Sequence, residues 1–158
     1  MGADRAVLID SGDAPVDALN SAKLLRQLAE REQPDLILLG KQAIDEDAAV
    51  VGPMLAALLN RAQAVAASHI TLDSAQALSV VREIEGGQQT VRVPLPAVVT
   101  ADLRLNEPRY VKLPNLMQAR KKDHRNLDAA DLGHRTHAAP AIAGRERTAR
   151  TRRWHPRQ

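Results

Sequence analysis

The sequence predicts an α/β domain with a three-layer, nucleotide-binding-type parallel sheet and a β-hairpin extension. Three observations carry that expectation. Two short runs apolar on every residue, Ala6-Val7-Leu8-Ile9 and Leu36-Leu39, bracket a segment of helical period. Such runs suit parallel strands covered by helices on both faces. Beyond residue 60 the pattern changes to β-type runs interrupted by a Gly-Gly turn signal. Finally, hydrophobic residues make up 44% and charged residues 26% of 158 positions, which is ordinary globular usage and enough for one domain, or a domain plus a tail.

The first strand, Ala6-Ile9, ends at Asp10-Ser11-Gly12-Asp13, a turn-forming cluster. Asp13 is placed to cap a helix whose first turn tolerates Pro15, because a proline there forfeits no intrahelical bond. Ala18, Ala22, Leu25 and Ala29 recur on one face, flanked by Leu24 and Leu28, while Lys23, Arg26, Glu30 and Arg31 face water. Pro34 stops the helix, and Leu36-Leu39 follows as the second strand. Residues 4–39 thus read as a right-handed parallel crossover. A second helix is expected from about Asp47 to Leu59. Strands are expected over Val65-Leu72, Leu78-Ile84 and Thr90-Val93, with Glu85-Gly86-Gly87-Gln88 as the hairpin turn, and one more at Val98-Thr100. Leu105-Asn115 reads as proline-punctuated loop, and Leu116-Lys122 as a short basic helix.

Composition excludes several chemistries. With no cysteine there is no disulfide, thiolate metal site or cysteine nucleophile. Phe is absent, and Trp and Tyr occur once each, so the core must be aliphatic and there is no set of aromatic platforms for stacking bases. No apolar run is long enough for a membrane-spanning helix, so no membrane insertion is expected. The net charge of +3 is unevenly spread. Residues 133–158 hold seven arginines against Glu146, a net of +6, which leaves −3 on the preceding 132 residues. The expected division is a domain over 1–123 and a basic, disordered tail over 124–158, since the last 26 residues lack apolar periodicity. His134 and His137 have metal-like spacing but no structured third ligand, so no metal site is expected there.

The chemistry-bearing segment is Gly40-Lys41-Gln42-Ala43-Ile44-Asp45-Glu46-Asp47, between a buried strand and a helix. A glycine at the carboxyl end of a parallel strand lets backbone approach a ligand, and the next helix N-terminus offers free N–H groups. That arrangement favours a phosphate, with Lys41 adding charge. The competing reading makes Asp45, Glu46 and Asp47 plain capping and first-turn residues favoured by the helix dipole.

Three ordered motifs then resemble the electron transfer flavoprotein beta subunit family. They are Gly40-Lys41-Gln42-Ala43-Ile44-Asp45; Val80-Val81-Arg82-Glu83-Ile84-Glu85-Gly86-Gly87-Gln88-Gln89-Thr90-Val91 running on to Pro96-Ala97-Val98-Val99-Thr100; and Ala101-Tyr110 with Leu113-Pro114-Asn115-Leu116-Met117. The likeness covers residues 1–123. It implies a heterodimer with an alpha subunit, a single FAD carried chiefly on alpha, and AMP held within beta. Such a pair takes electrons from acyl-CoA and other dehydrogenases and passes them to a membrane quinone oxidoreductase, so beta is a carrier with no turnover of its own. By resemblance, Gly40, Lys41, Gln42, Ala43, Ile44, Asp45, Asp47, Val51 and Gly52 surround the AMP phosphate. Glu83 matches a glutamate that pairs with an arginine of the alpha flavin domain. Leu113, with Pro114, Asn115 and Met117, matches a loop whose leucine anchors in a dehydrogenase pocket; otherwise Leu113 is a loop-packing leucine. The implied compartment is bacterial cytoplasm, or mitochondrial matrix in a eukaryote.

Three departures from the family pattern qualify these expectations. The family chain begins upstream, which makes the sheet expected here incomplete at its N-terminus. The phosphate loop, normally rich in Asn, Gln and Thr, reads Ala48-Ala49-Val50-Val51. Beyond Leu132 the match ends in a mixture expected of a shifted reading frame. The rival expectations are a stand-alone AMP- or ATP-binding module of the stress-protein kind, a tail-driven nucleic-acid binder, and a gene fragment without function.

Overall fold

The computed structural model describes residues 2–12, 16–44 and 47–132. Strand β1 (Arg5–Asp10) leads into helix α1 (Ala18–Glu32), strand β2 (Leu36–Gly40) and helix α2 (Val51–Leu59). Strands β3 (Ala62–Ser74), β4 (Ala77–Ile84), β5 (Gly87–Pro94) and β6 (Ala97–Ala101) follow. Helix α3 (Leu113–Ala119), strand β7 (Asp123–Asp128) and a 3-10 turn (Ala129–Leu132) complete the described chain. The fold is α/β, as the apolar runs predicted.

Five strands form one sheet in the order β2-β6-β3-β4-β5, parallel from β2 through β6 to β3 and antiparallel from there to β5. The β3–β4 hairpin, closed at Ser74 and Ala77, reverses the chain direction and makes the switch, and a bulge shapes β3 before it. Between Ala64 and Ala67, β3 carries one residue more than its partner β6, and Ala66 takes the left-handed conformation with φ 55. The extra residue bends the strand, so its second half leaves β6 and pairs with β4 from Ala67 onward. The expected turn closes the next hairpin, with Ile84 opposite Gly87 and Gly86 at φ 86. Ala64, Ala67, Leu78, Val80, Val93, Ala97 and Val99 bury together as the main core. Every member is aliphatic, as an almost aromatic-free chain requires.

The first crossover differs from expectation. Among the described residues β1 hydrogen-bonds only to β7, in parallel, making a separate two-stranded sheet, whereas β2 joins β6. Helix α1 therefore links two sheets instead of two neighbouring strands. Among the described residues each of β1 and β2 has one unpaired edge, and Leu8 and Leu38 are 50% and 54% exposed. A second small core of Leu24, Ala129 and Leu132, with Ile9, Val16 and Leu127 against it, ties α1 to β1 and β7. The boundary expected after Asp123 falls on the first residue of β7, and the chain stays in this core as far as Leu132. The residues expected to be disordered beyond that point lie outside the described residues.

Helix boundaries shift for local reasons. Asp17, not Asp13, caps α1: its carboxylate accepts from the Asn20 N–H at 2.7 Å. Asp13 and Pro15 lie outside the described residues. Gln33 ends the helix in the left-handed conformation, one residue before Pro34. Helix α2 starts at Val51, four residues later than expected, because Asp47 and Ala49 have φ near 50, which no helix can contain. Helix α3 starts three residues early, at Leu113, since Pro114 at its second position loses no intrahelical bond.

Candidate functional site

The loop between β2 and α2 leaves the carboxyl end of the parallel sheet. It separates two concave spaces. The smaller, about 300 Å³, is lined by Leu39, Gly40, Lys41, Gln42, Ala43 and Ala48–Val51, with Ala18 from the start of α1. The larger, about 910 Å³, lies between the ends of β2 and β6, bordered by Gly40, Lys41, Gln42, Ile44, Asp47, Ala101, Asp102 and the Leu103–Pro108 stretch. Both helix N-termini thus face the small space. Val50, which caps α2, supplies no side-chain bond, so the N–H groups of the first turn point out of the helix without an intrahelical acceptor. These are donors for an anion. Pro53, third in the helix, removes one of them.

Charge around the loop is arranged differently from the sequence expectation. Lys41 Nζ donates to Asp102 Oδ2 at 2.7 Å, and the Lys41 N–H donates to the Ala101 carbonyl at 3.0 Å. Both residues follow parallel strands that pair side by side, Gly40 opposite Ala101, so their side chains leave the sheet together. The Lys41 ammonium, followed by the Arg104 N–H that donates to Oδ1, holds the Asp102 carboxyl below its ordinary value. The lysine is thus neutralised in place. The acidic residues do not cap α2 either, since Val50 occupies the cap and the Asp47 N–H closes a turn onto the Ala43 carbonyl at 2.9 Å. Asp45 lies outside the described residues.

Gly40 and Gly52 serve different ends. A side chain on Gly40 would meet no atom within 4 Å; its smallness leaves the pocket mouth open without serving the protein's own packing. Gly52 lines neither space. A Cβ there would stand 2.2 Å from Thr100 Cγ2, so α2 rests on β6 only because that residue is glycine. Thr100 in turn accepts from the Ala66 N–H at 3.0 Å through Oγ1 and is buried. One threonine therefore fixes the base of the loop helix and satisfies the bulge in β3.

The structure gathers Gly40, Lys41, Gln42, Ala43 and Val51 about the small space, and places Ile44 and Asp47 on the larger one. The remaining expected positions lie elsewhere. Glu83, on β4, accepts from Gln88 Nε2 at 2.8 Å and stands 3.4 Å from Arg104 Nη1. The Gln88 bond, then the Ser68 hydroxyl and more weakly Arg104, lower its carboxyl from the ordinary value. Leu113, Pro114, Asn115 and Met117 form the first turns of α3, in which no residue is buried. Leu113 is 70% exposed and Met117 50%, which removes the loop-packing reading of Leu113. Asp102 and Thr100 were missed by sequence reasoning. The available signal was position: Asp102 stands one residue beyond the end of β6, as Lys41 does beyond β2.

Among the described residues, no group of His, Asp or Glu is clustered to hold a metal ion, and no helix is long and apolar enough to cross a membrane. Residues 1–132 match the model of the electron transfer flavoprotein domain family. The chain is 51% identical over 133 residues to electron transfer flavoprotein subunit beta of Bradyrhizobium diazoefficiens. It is 50% identical over 136 residues to the human protein of that name, and 47% over 133 to the mitochondrial one of Arabidopsis thaliana. Each alignment takes in 84% of this chain and 53% of the relative, so the chain spans about half the length of the curated relatives it matches.

Proposed function

The chain belongs to the electron transfer flavoprotein family, and from that premise we propose that it acts as a beta-type subunit, pairing with an FAD-bearing alpha subunit in an electron carrier. On this reading it relays electrons from acyl-CoA and related flavin dehydrogenases toward a quinone oxidoreductase and turns over no substrate itself. FAD supplies the redox chemistry and sits chiefly on the partner. The compartment is bacterial cytoplasm, or mitochondrial matrix in a eukaryotic host.

The part assigned to this chain's own residues is retention of AMP. The observation that carries it is the small space at the carboxyl end of β2, onto which the first turn of α2 opens with unpaired backbone donors. The Gln42–Ala43 backbone and the N–H at Val51 would hold the phosphate, with Gly40 leaving room for it and Gly52 seating the helix against Thr100. Lys41 borders the space, but its ammonium is committed to Asp102 and its N–H to the Ala101 carbonyl. Since Ala48, Ala49, Val50 and Val51 have no polar side chains, affinity rests on backbone donors and the helix dipole. Glu83 and α3 are the surfaces offered to the alpha subunit and to the dehydrogenase respectively. The exposed apolar Leu113 and Met117 fit such a contact, because a few anchoring side chains carry most of the affinity of a transient interface.

Co-expression with an alpha subunit tests the reading. The expected result is a co-purifying pair with bound-flavin absorbance, from which acid extraction releases AMP. An alpha subunit that purifies without this chain would overturn the heterodimer. Nucleotide bound by the lone chain, with no alpha partner captured, would favour the stand-alone binding module.

A further inference from the structure

A third concave space lies at the opposite end of the strands. It measures about 740 Å³ and is lined by Gly2, Ala3, Arg5, Ala6, Arg109, the second half of α3, Arg120, Lys122 and the first residues of β7. Arg5 bonds to Glu32, the last residue of α1, which places this cleft at the amino ends of β1 and β2, away from the Gly40 loop. Its charge is unlike that of the rest of the body. Residues 109–125 hold six cations (Arg109, Lys112, Arg120, Lys121, Lys122, Arg125) against Asp123 alone, although the first 132 residues together carry −3.

The acids near the cleft are already engaged. Glu32 holds Arg5, Asp123 holds Arg125 at 3.0 Å, and Asp4 reaches Lys122 only at 3.4 Å from an almost fully exposed position. Arg109 and Arg120, both exposed and both lining the cleft, make no ion pair or side-chain hydrogen bond among the described residues. Concentrating unpaired guanidinium groups in one concavity costs repulsion that an anion would relieve. The planar fork of arginine matches the oxygens of a phosphate group in pairs. The side-chain amides of Asn115 and Gln118 add neutral donors to the same wall. The volume falls in the range of small-molecule sites, which runs from about 300 to about 1,000 Å³.

We propose that the cleft between the start of β1 and helix α3 binds a small ligand bearing two or more phosphate groups, with Arg109 and Arg120 as its principal contacts. The site is independent of the AMP reading. The test titrates the full chain with pyrophosphate and with ADP by calorimetry. The expected result is saturable binding that weakens at least tenfold in the Arg109→Ala/Arg120→Ala double variant and partly recovers in Arg109→Lys/Arg120→Lys. Lys41→Ala is expected to leave this affinity within twofold. Both arginines are exposed, so their removal does not threaten the fold; an unchanged melting temperature verifies it. The proposal is overturned if pyrophosphate shows no saturable binding, or if the double alanine variant binds as the parent does. It is equally overturned if Lys41→Ala abolishes the signal, or if a poly-glutamate peptide binds the cleft more tightly than pyrophosphate.

Discussion

Thr100 occupies the space that a side chain on Gly52 would need, its Cγ2 lying 2.2 Å from where that Cβ would be. The same residue accepts the Ala66 N–H at 3.0 Å. The loop that opens toward the small pocket, the helix behind it and the bulge in β3 therefore meet at one buried hydroxyl and one methyl. Gly52→Ala forces α2 off β6, with a cost of about 1–3 kcal/mol typical of overpacking. Thr100→Ser, which removes the methyl and keeps the hydroxyl, is expected to restore most of that loss in the double variant. Thermal or denaturant unfolding of the four proteins measures the coupling; strictly additive losses would contradict the contact.

The Lys41–Asp102 pair predicts a pH dependence of definite sign. Asp102 titrates below its ordinary 3.8 when folded, first because of the Lys41 bond and then the Arg104 N–H. Unfolding returns it to the ordinary value, so the unfolded chain binds the proton more tightly. The stabilisation is complete above 3.8 and is lost as pH falls through the lowered folded value. Asp102→Asn is expected to flatten that part of the stability curve, leaving the slope due to Glu83, which is lowered first by Gln88. Identical slopes in parent and variant would show that the pair does not titrate with folding.

Among the described residues β1 and β2 each leave one edge unpaired, as β5 and β7 do, and Leu8 and Leu38 on the first two are about half exposed. Unpaired apolar edges template association. Leu8→Lys together with Leu38→Lys is expected to raise the concentration at which the protein stays monodisperse, as read by light scattering. Unchanged association would place the sticky surface elsewhere, α3 being the next candidate.

Leu113→Ala separates packing from partner contact. At 70% exposure the leucine contributes little to stability, so unfolding is expected to shift by no more than about 0.5 kcal/mol. Electron transfer from a dehydrogenase to the assembled flavoprotein, under the proposed function, is expected to slow severalfold. A large loss of stability would show that the side chain packs after all.

Periodicity and turn chemistry were sufficient to place every strand of the large sheet within a few residues. They work because apolar runs, Gly-Gly turns and prolines act through the chain's own neighbours. Gly40-Lys41-Gln42 was likewise legible as a loop at a strand end, since a glycine and a lysine between an apolar run and a helix form a local signal. The family motifs around Glu83 and Leu113 were legible for the same reason. The pairing of β1 with β7 instead of β2 was not, because strand partners more than 100 residues apart leave no trace in either segment. Nor could sequence show that Lys41 is tied to Asp102, that Val50 and not an aspartate caps α2, or that Gly52 is required by Thr100. Each of those facts depends on which residues two separate segments bring within 4 Å of each other. Local physics chose the elements; long-range packing chose their neighbours, and with them the charge and the donors of the pocket.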